Sequence, residues 1–381
     1  MAVATKRTEK ISDEYWMRRA LKLARRGVGH TSPNPCVGAV IVRNGKELGS
    51  GYHRKAGEAH AEVRAFAEAE RRGENVAGAS LFVTLEPCST IGRTPPCTKA
   101  IIDAGIGRVV IAAVDPNPAH AGRGLRILRR RGIEVQSGLL AEEAKRLNEA
   151  FNHWIVHRQP FVVAKAAMTL DGKIATADGE SKWITGEKAG KMAMRLRWES
   201  DAILVGVNTV LADDPSLTVR SDRSGRSMVK PIRRIVLDSL ARTPLNSKVV
   251  ADPQFHDTII VVGRGASAKR TAALGKRVTV WQVGTKQGRI SLKPLMKRLG
   301  RNSITRLLVE GGGEVNGSFY DEGLVSRVAF FYAPKILGGL TSRSGVSGEG
   351  IRRVAEMPGV ADATWTRLGD DLFLTGLIDR S

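Results

Sequence analysis

The sequence predicts an α/β protein of two domains, on three observations: helix-period and strand-period segments alternate along the chain, the alternation restarts after Pro160, and 381 residues exceed one ordinary core. In chain order, DEYWMRRALKLARRG (residues 13–27) sets apolar side chains on one face and basic ones on the other, and Gly27 closes this amphipathic helix. VGAVIVRNG is strand-like, and Asn44-Gly45 is a two-residue hairpin signal leading into ELGSGYH. AHAEVRAFAEAERRG predicts a helix ending at Gly73, SLFVTLEPC a strand running into a Pro-Cys turn, TKAIIDAG a helix and RVVIAAVDP a strand. A helix around Glu142–Phe151 leads to Arg158-Gln159-Pro160, so domains are expected at 1–150 and 161–381 with a linker over 151–160. In the second domain FVVAKAAM, DAILVG, RRIVLD, DTIIVVG and RLLVEGGG read as buried strands, each followed by a turn or a helix. The basic stretch SDRSGRSMVK reads as a solvated connection.

Composition narrows the function. The 60 Lys+Arg against 38 Asp+Glu leave a net charge of +22, a field that draws nucleic acid, acidic lipid or phosphorylated metabolites. With 42% hydrophobic and 26% charged residues the chain is globular, not disordered or collagen-like. No apolar run approaches the roughly 18 residues of a membrane span, and the first residues carry scattered charge without an apolar core segment. Three cysteines are too few for a disulfide scaffold, which points to individual thiols as metal ligands or nucleophiles in a reducing compartment. A soluble cytoplasmic protein is expected.

The clearest chemical signal is His60-Ala-Glu62, then Pro87-Cys88, then Cys97. One imidazole and two thiolates suit a tetrahedral Zn²⁺ with its fourth position open to water, whose pKa falls from near 15.7 to about 7 on binding. Glu62 is the proton carrier. Residues at i and i+2 do not share a helix flank, so His60 and Glu62 must both lie in a first helical turn facing a pocket beyond the helix end. Cys97 opens the TKAIIDAG helix, whose partial positive charge favours a thiolate. Singly, each residue has a bland reading as a surface His or a small buried Cys. Together they form the zinc deaminase pattern. Cys36, His30 and His120 have no such spacing and are assigned to packing.

Cys88 and Cys97 are separated by eight residues rather than the two of nucleic-acid and nucleoside deaminases. That insert, LEPCSTIGRTPPC, together with SPNPCVGAVIV, GYHRKAGEAHAE and DPNPAHAGRGL in the same order, resembles the deaminase half of the bifunctional riboflavin-biosynthesis deaminase–reductase family. The resemblance implies a three-layer α/β/α cytidine-deaminase-like domain acting on a diaminopyrimidinone that bears a ribosylamino 5-phosphate. By position it implies zinc on His60, Cys88 and Cys97, catalysis by Glu62, and substrate contacts from Asn34, His53 and Arg93. Thr90 departs from the His common at that position.

In the second half, RLLVEGGGEVNGSF is a strand, a glycine turn and a helix start; Gly311, Gly312 and Gly313 let backbone N–H groups approach an anion, without fitting GxGxxG. Asp213-Asp214-Pro215 leaves metal ligation, a helix end and a substrate clamp open. KAAMTLDGKIATADGESKWIT, SDAILVGVNTVLADDPSLTVR and VEGGGEVNGSF are similar to the reductase half of the same family, which implies a dihydrofolate-reductase-like fold and NADPH. By position the resemblance implies that Ser181, Trp183, Arg197, Asp213, Leu217, Arg220 and Glu310 surround the substrate. Ala167, Thr209, Asp213 and the three glycines are implied near NADPH. Lys165, Thr169 and Asp171 lie on a segment expected to line the same cleft, and core packing is the alternative for Trp183. The expected partners are the phosphorylated pyrimidine and NADPH, within a homo-oligomer. Two other classes compete: a nucleic-acid deaminase, disfavoured by the eight-residue spacing and only 5% aromatic residues, and a zinc-stabilised interaction protein, which has no need of Glu62.

Overall fold

The structure, a computed structural model, describes residues 12–90, 95–118, 120–221, 227–252 and 257–379. It divides into two compact units, Met1–His157 and Arg158–Ser381. The first contains α1 (Asp13–Ala24), β1 (Gly38–Arg43), β2 (Lys46–Tyr52), α2 (Ala61–Arg71), β3 (Ser80–Leu85), α3 (Cys97–Asp103), β4 (Arg108–Ala113), α4 (Arg123–Arg130), β5 (Glu134–Ser137), α5 (Ala141–Leu147) and α6 (Glu149–His157). Most of the expected linker, 151–160, is therefore helix.

The strands lie in the order β2-β1-β3-β4-β5, with β1 antiparallel to both neighbours and β3, β4 and β5 parallel. Asn44 and Gly45 both have positive φ, 52° and 76°, as a two-residue turn of primed type requires. Alternate residues of each strand face opposite layers. Val40, Phe82 and Val110 pack with Met17 and Leu21 of α1 and Ala144 of α5; Ile41, Leu81 and Val109 pack with Ala65 of α2, Ile101 of α3 and Leu128 of α4. The result is a three-layer α/β/α unit.

Small residues set how closely the helices approach. A Cβ on Gly38 would lie 2.1 Å from the carbonyl oxygen of Ala20 on α1; on Gly49 and Gly51 it would lie 2.4 and 2.5 Å from those of Ala65 and Ala61 on α2. Alanine faces thus rest on glycine positions, and α2 is brought in with His60 at its leading end.

The second unit contains β6 (Phe161–Thr169), α7 (Glu187–Trp198), β7 (Ala202–Gly206), α8 (Val207–Asp213), β8 (Arg233–Leu237), α9 (Lys248–Ala251), β9 (Thr258–Gly263), α10 (Ala268–Gly275), β10 (Thr279–Val283), α11 (Leu292–Arg301), β11 (Arg306–Val309), α12 (Gly313–Asp321), β12 (Arg327–Ala333), β13 (Gly359–Leu368) and β14 (Asp371–Asp379). Their order in one sheet is β10-β9-β8-β7-β11-β6-β12-β14-β13. The first seven are parallel, and β14 is antiparallel to β12 and β13. Helices cover both faces, so the parallel strands read as continuous apolar runs. Lys165 interrupts the run in β6. Of the basic stretch expected to be solvated, residues 222–226 lie outside the described residues. Lys230 is not solvated: its Nζ donates to the carbonyls of Trp198 and Ser200.

Gly38→Ala is expected to destabilise the first unit by roughly 1–3 kcal/mol, the cost of overpacking. Thermal unfolding reads this as a lowered midpoint; an unchanged midpoint would mean that α1 can back away from the sheet.

Two candidate active sites

The first site forms where β3 runs out and two helices begin. His60 is the N-cap of α2, Cys97 is the first residue of α3, and Cys88 follows β3 by three residues. Nδ1 of His60 lies 3.2 Å from Sγ of Cys97 and 3.6 Å from Sγ of Cys88, and the three ligand atoms lie within 4.8 Å of one another. Tetrahedral zinc with ordinary bond lengths places its N and S ligands about 3.6 Å apart and two S ligands about 3.8 Å apart. The donor set therefore fits zinc in both size and chemistry. The Cys97 backbone N–H, at the helix start, donates to Sγ of Cys88 at 3.3 Å. Hydrogen bonds from the Cys97 side chain, from His60 and from that N–H hold the Cys88 thiol down to about 4, against the effect of burial. Cys97, the donor side of the pair and itself buried, is pushed up.

Around this centre Glu62 and His53 are buried. Glu62 sits in the first turn of α2 at 3% exposure, and burial raises its carboxyl. The His53 ring meets that of His60 edge-on at 5.4 Å between centroids. Burial lowers the His53 pKa, so the ring is neutral and its tautomer follows from its neighbours. Nδ1–H donates to the Ala59 carbonyl at 3.3 Å, and Nε2 accepts from Nδ2 of Asn34 at 3.1 Å. With Nδ2 of Asn34 on His53, its Oδ1 is the end that remains for a ligand.

Glu86, to which the sequence reading assigned nothing, accepts from the N–H groups of Asp115 (3.1 Å), Gly122 (2.9 Å) and Gly124 (2.8 Å). It fastens the 115–124 loop beside the Pro87-Cys88 turn. No local signal marks it, because its three donors lie 29 to 38 residues further along the chain. Arg93 lies outside the described residues. Cys36 is buried as expected; His30 is exposed rather than packed, and His120 is half-buried in the 115–124 loop.

The second site is a cleft of about 1880 Å³ at the carboxyl ends of β6, β7 and β11. Ala167, Ser181, Trp183, Arg197, Thr209, Asp213, Leu217, Arg220, Glu310 and Gly311, Gly312 and Gly313 all line it, as does Lys165. Thr169 and Asp171 do not, because β6 has run past the cleft by then. Thr169 is buried against Lys173, and Asp171 accepts from the N–H groups of Leu337 and Gly338 at 3.0 and 2.7 Å. Core packing also fails for Trp183: its side chain is 84% exposed, while its carbonyl accepts from Nζ of Lys335.

At the cleft floor Arg197 grips Glu310 with both arms of its fork, Nε to Oε1 at 2.7 Å and Nη2 to Oε2 at 2.8 Å, and its Nη1 donates to the Thr218 carbonyl at 3.0 Å. That fork is taken, so Arg197 does not present it to a phosphate. Burial would raise Glu310, but Arg197 and Lys165 outweigh it and hold the carboxyl down to about 2. The pairing of Val309 with Ala164 sets Lys165 and Glu310 on adjacent strands, and burial lowers the lysine's pKa while Glu310 partly restores it. Arg220 is exposed at the cleft wall, steadied by Oγ1 of Thr218 at 3.1 Å and Oγ of Ser216 at 3.4 Å. Asp213 ends α8 with Nζ of Lys182 at 3.5 Å from Oδ1, and Asp214 caps the helix in a left-handed conformation, φ 40°.

The glycine turn divides its duties. A Cβ on Gly311 would meet Val315 at 2.5 Å and one on Gly313 the Ser344 carbonyl at 2.1 Å, whereas one on Gly312 would meet nothing within 4 Å. Packing demands the outer two, and Gly312 leaves open backbone at the start of α12, where the first N–H groups have no partners within the helix. With room for two ligands in the cleft, this cradle fits the phosphates of NADPH.

The comparisons with known proteins assign a family to each unit. Residues 10–113 match the cytidine and deoxycytidylate deaminase zinc-binding region, and residues 160–374 match the RibD C-terminal domain. The riboflavin biosynthesis protein RibD of Aquifex aeolicus is 44% identical over 95% of this chain and 97% of its own length; that of Escherichia coli is 40% identical over 96% and 99%. Among solved structures, Acinetobacter baumannii RibD has a TM-score of 0.83 at 36% identity, covering 96% of this chain and 98% of that one. A Thermotoga maritima deaminase/reductase has a TM-score of 0.80 at 34% identity, covering 97% and 98%. The first unit is cytidine-deaminase-like and the second is a dihydrofolate-reductase-like reductase domain that uses NADPH. A zinc-binding deaminase unit and a reductase unit on one chain, with full-length likeness at this identity, mean that the protein belongs to the RibD family of bifunctional riboflavin-biosynthesis deaminase–reductases.

Proposed function

We propose that the first unit replaces the exocyclic 2-amino group of a 2,5-diamino-6-ribosylamino-4(3H)-pyrimidinone 5-phosphate by oxygen, and that the second reduces the ribosyl side chain of the product to ribityl. The Thermotoga maritima neighbour is named for this pair of activities. The observation that carries the reading is Glu62: a buried acid that is not one of the three metal-ligating residues and sits beside them has a use in hydrolysis and none in a purely structural zinc site.

When bound, zinc acidifies a water molecule to near neutrality and so supplies the nucleophile. Glu62 takes up the proton released as the C–O bond forms and returns it to the departing amine, so that water and the amino compound become the carbonyl compound and ammonia. Oδ1 of Asn34, aimed by His53, accepts from the pyrimidine edge, and Arg93 is proposed to approach the substrate from the insert.

NADPH, when bound, supplies a hydride; Ala167, Thr209, Asp213 and the glycine turn are proposed around it. Lys165 provides the matching proton to the nitrogen on C1′ of the ring-opened ribosylamine. Burial makes it readier to give that proton up, and Glu310 keeps it charged beforehand. Arg197 holds Glu310 ionised. Arg220 is the proposed phosphate ligand, with Ser181, Trp183 and Leu217 walling the substrate. A homo-oligomer in the cytoplasm completes the reading. Edge strand β13 is exposed along nearly its whole length and carries Trp365, and no helix among the described residues is long and apolar enough to cross a membrane.

Glu62→Gln is expected to lower ammonia release by about 10²–10⁴-fold while metal analysis finds zinc retained; undiminished deamination would remove the mechanism. Lys165→Met should cost the reductase a comparable factor in kcat and leave deamination untouched, as separate assays would show. Stability adds a pH signature. Since Glu310 falls from an ordinary 4.5 to about 2 on folding, its contribution is complete above about pH 4.5 and is lost as pH drops through about 2. Glu310→Gln should cost roughly 3–5 kcal/mol at neutral pH and flatten the acid-side decline in melting temperature.

A further inference from the structure

We infer that Asn148 is a positioning residue of the deaminase: its carboxamide fixes the loop that presents Asn34 to the pyrimidine. Asn148 is 5% exposed and lies between α5 and α6, far in sequence from every motif of the first site. Its Oδ1 accepts from the Cys36 N–H at 2.7 Å, and its Nδ2 donates to the Cys36 carbonyl at 3.0 Å. One side chain thus satisfies both backbone groups of one residue across 112 positions, as a neighbouring strand would.

The carboxamide is rigidly held. The Asn148 N–H donates to the carbonyls of Ala144 and Lys145, its own carbonyl accepts from the Asn152 N–H at 2.8 Å, and Ala144 is packed into the sheet core. What it holds is the base-reading loop. Asn34 is two residues before Cys36 and donates its N–H to the Thr31 carbonyl at 2.8 Å; one residue after Cys36, the Val37 carbonyl accepts from the His53 N–H at 2.9 Å. A shift at Cys36 therefore moves Asn34 and His53 relative to each other and disturbs the 3.1 Å bond that aims Oδ1 of Asn34. Only a carboxamide of this length fits: aspartate has no donor for the Cys36 carbonyl, alanine has neither group, and glutamine carries an extra methylene into a closed space.

The inference rests on the proposed contact between Asn34 and the base, and the test separates the two. The full-length, zinc-loaded enzyme is assayed for ammonia release as wild type and as Asn148→Asp, Asn148→Ala, Asn34→Ala and Ile106→Ala. Ile106→Ala is a core truncation at the opposite end of the sheet from Cys88 and controls for general destabilisation. Both Asn148 variants are expected to raise KM by about tenfold or more with kcat within about threefold of wild type, zinc retained and reductase activity unchanged. Ile106→Ala should leave KM alone at a similar loss of melting temperature. A KM within about twofold of wild type in Asn148→Asp, or an equal rise in KM in Ile106→Ala, overturns the inference. Should Asn148→Ala not fold, Asn148→Asp, which keeps the acceptor and sets a carboxylate oxygen against the Cys36 carbonyl in place of the donor, decides alone. If Asn34→Ala leaves KM unchanged, the base-contact reading fails; if it raises KM while the Asn148 variants do not, only the positioning role fails.

Discussion

Parallel strands cannot be joined by tight turns; each returns through a helix, and the helix N-termini collect at the carboxyl edge of the sheet. Both sites depend on this constraint. In the first unit the crossover from β2 through α2 to β3 delivers His60 and Glu62, and the turn from β3 into α3 delivers Cys88 and Cys97. In the second, Glu310, Gly311 and Gly312 lie between β11 and α12, Gly206 closes β7 and Thr209 lies in the first turn of α8, with Lys165 on β6 beside β11. Backbone donors and partial positive charge are thus supplied to anionic ligands before any side chain is chosen.

The two sites handle charge in opposite ways. The deaminase concentrates two sulfurs and an imidazole in a space sized for a cation, and the Cys97 N–H steadies the thiolate of Cys88. The reductase neutralises within itself: Arg197 answers Glu310 through a two-armed pair, and Glu310 in turn faces Lys165. With its fork on Glu310, Arg197 is not offered to a phosphate, and the proposed contact passes to Arg220, one of several basic side chains that line the cleft. Even with Arg93, this uses little of the +22 charge, which remains a general attraction for anionic ligands.

The zinc centre was legible because its ligands fall in short motifs bounded by clear helix and strand signals, and Asn44-Gly45 announced its hairpin through the only backbone geometry that suits it. The cleft of the second unit was legible through family resemblance more than through chemistry, since no spacing marks Ser181 or Leu217. What stayed hidden depends on tertiary register. Nothing local says that Lys165 meets Glu310; that follows from Val309 pairing with Ala164. Nothing local says that the Arg197 fork is occupied, that Glu86 gathers three backbone N–H groups, or that Asn148 reaches Cys36. The helix expected to end near Phe151 instead gives way to a second helix that continues to His157, because Pro160 marks the end of a helical segment only to within a few residues, and core packing stays an alternative for Trp183 until its exposure is known.

The central claim is that one chain carries out two successive reactions at two independent sites. Its most direct test is to give the purified protein the diaminopyrimidinone phosphate with and without NADPH, following ammonia and the nicotinamide absorbance together. Ammonia release without NADPH, and NADPH oxidation that begins only as deaminated product accumulates and reaches equal stoichiometry, is the predicted result. Oxidation of NADPH without ammonia release, or the absence of both from zinc-replete protein, would contradict the account.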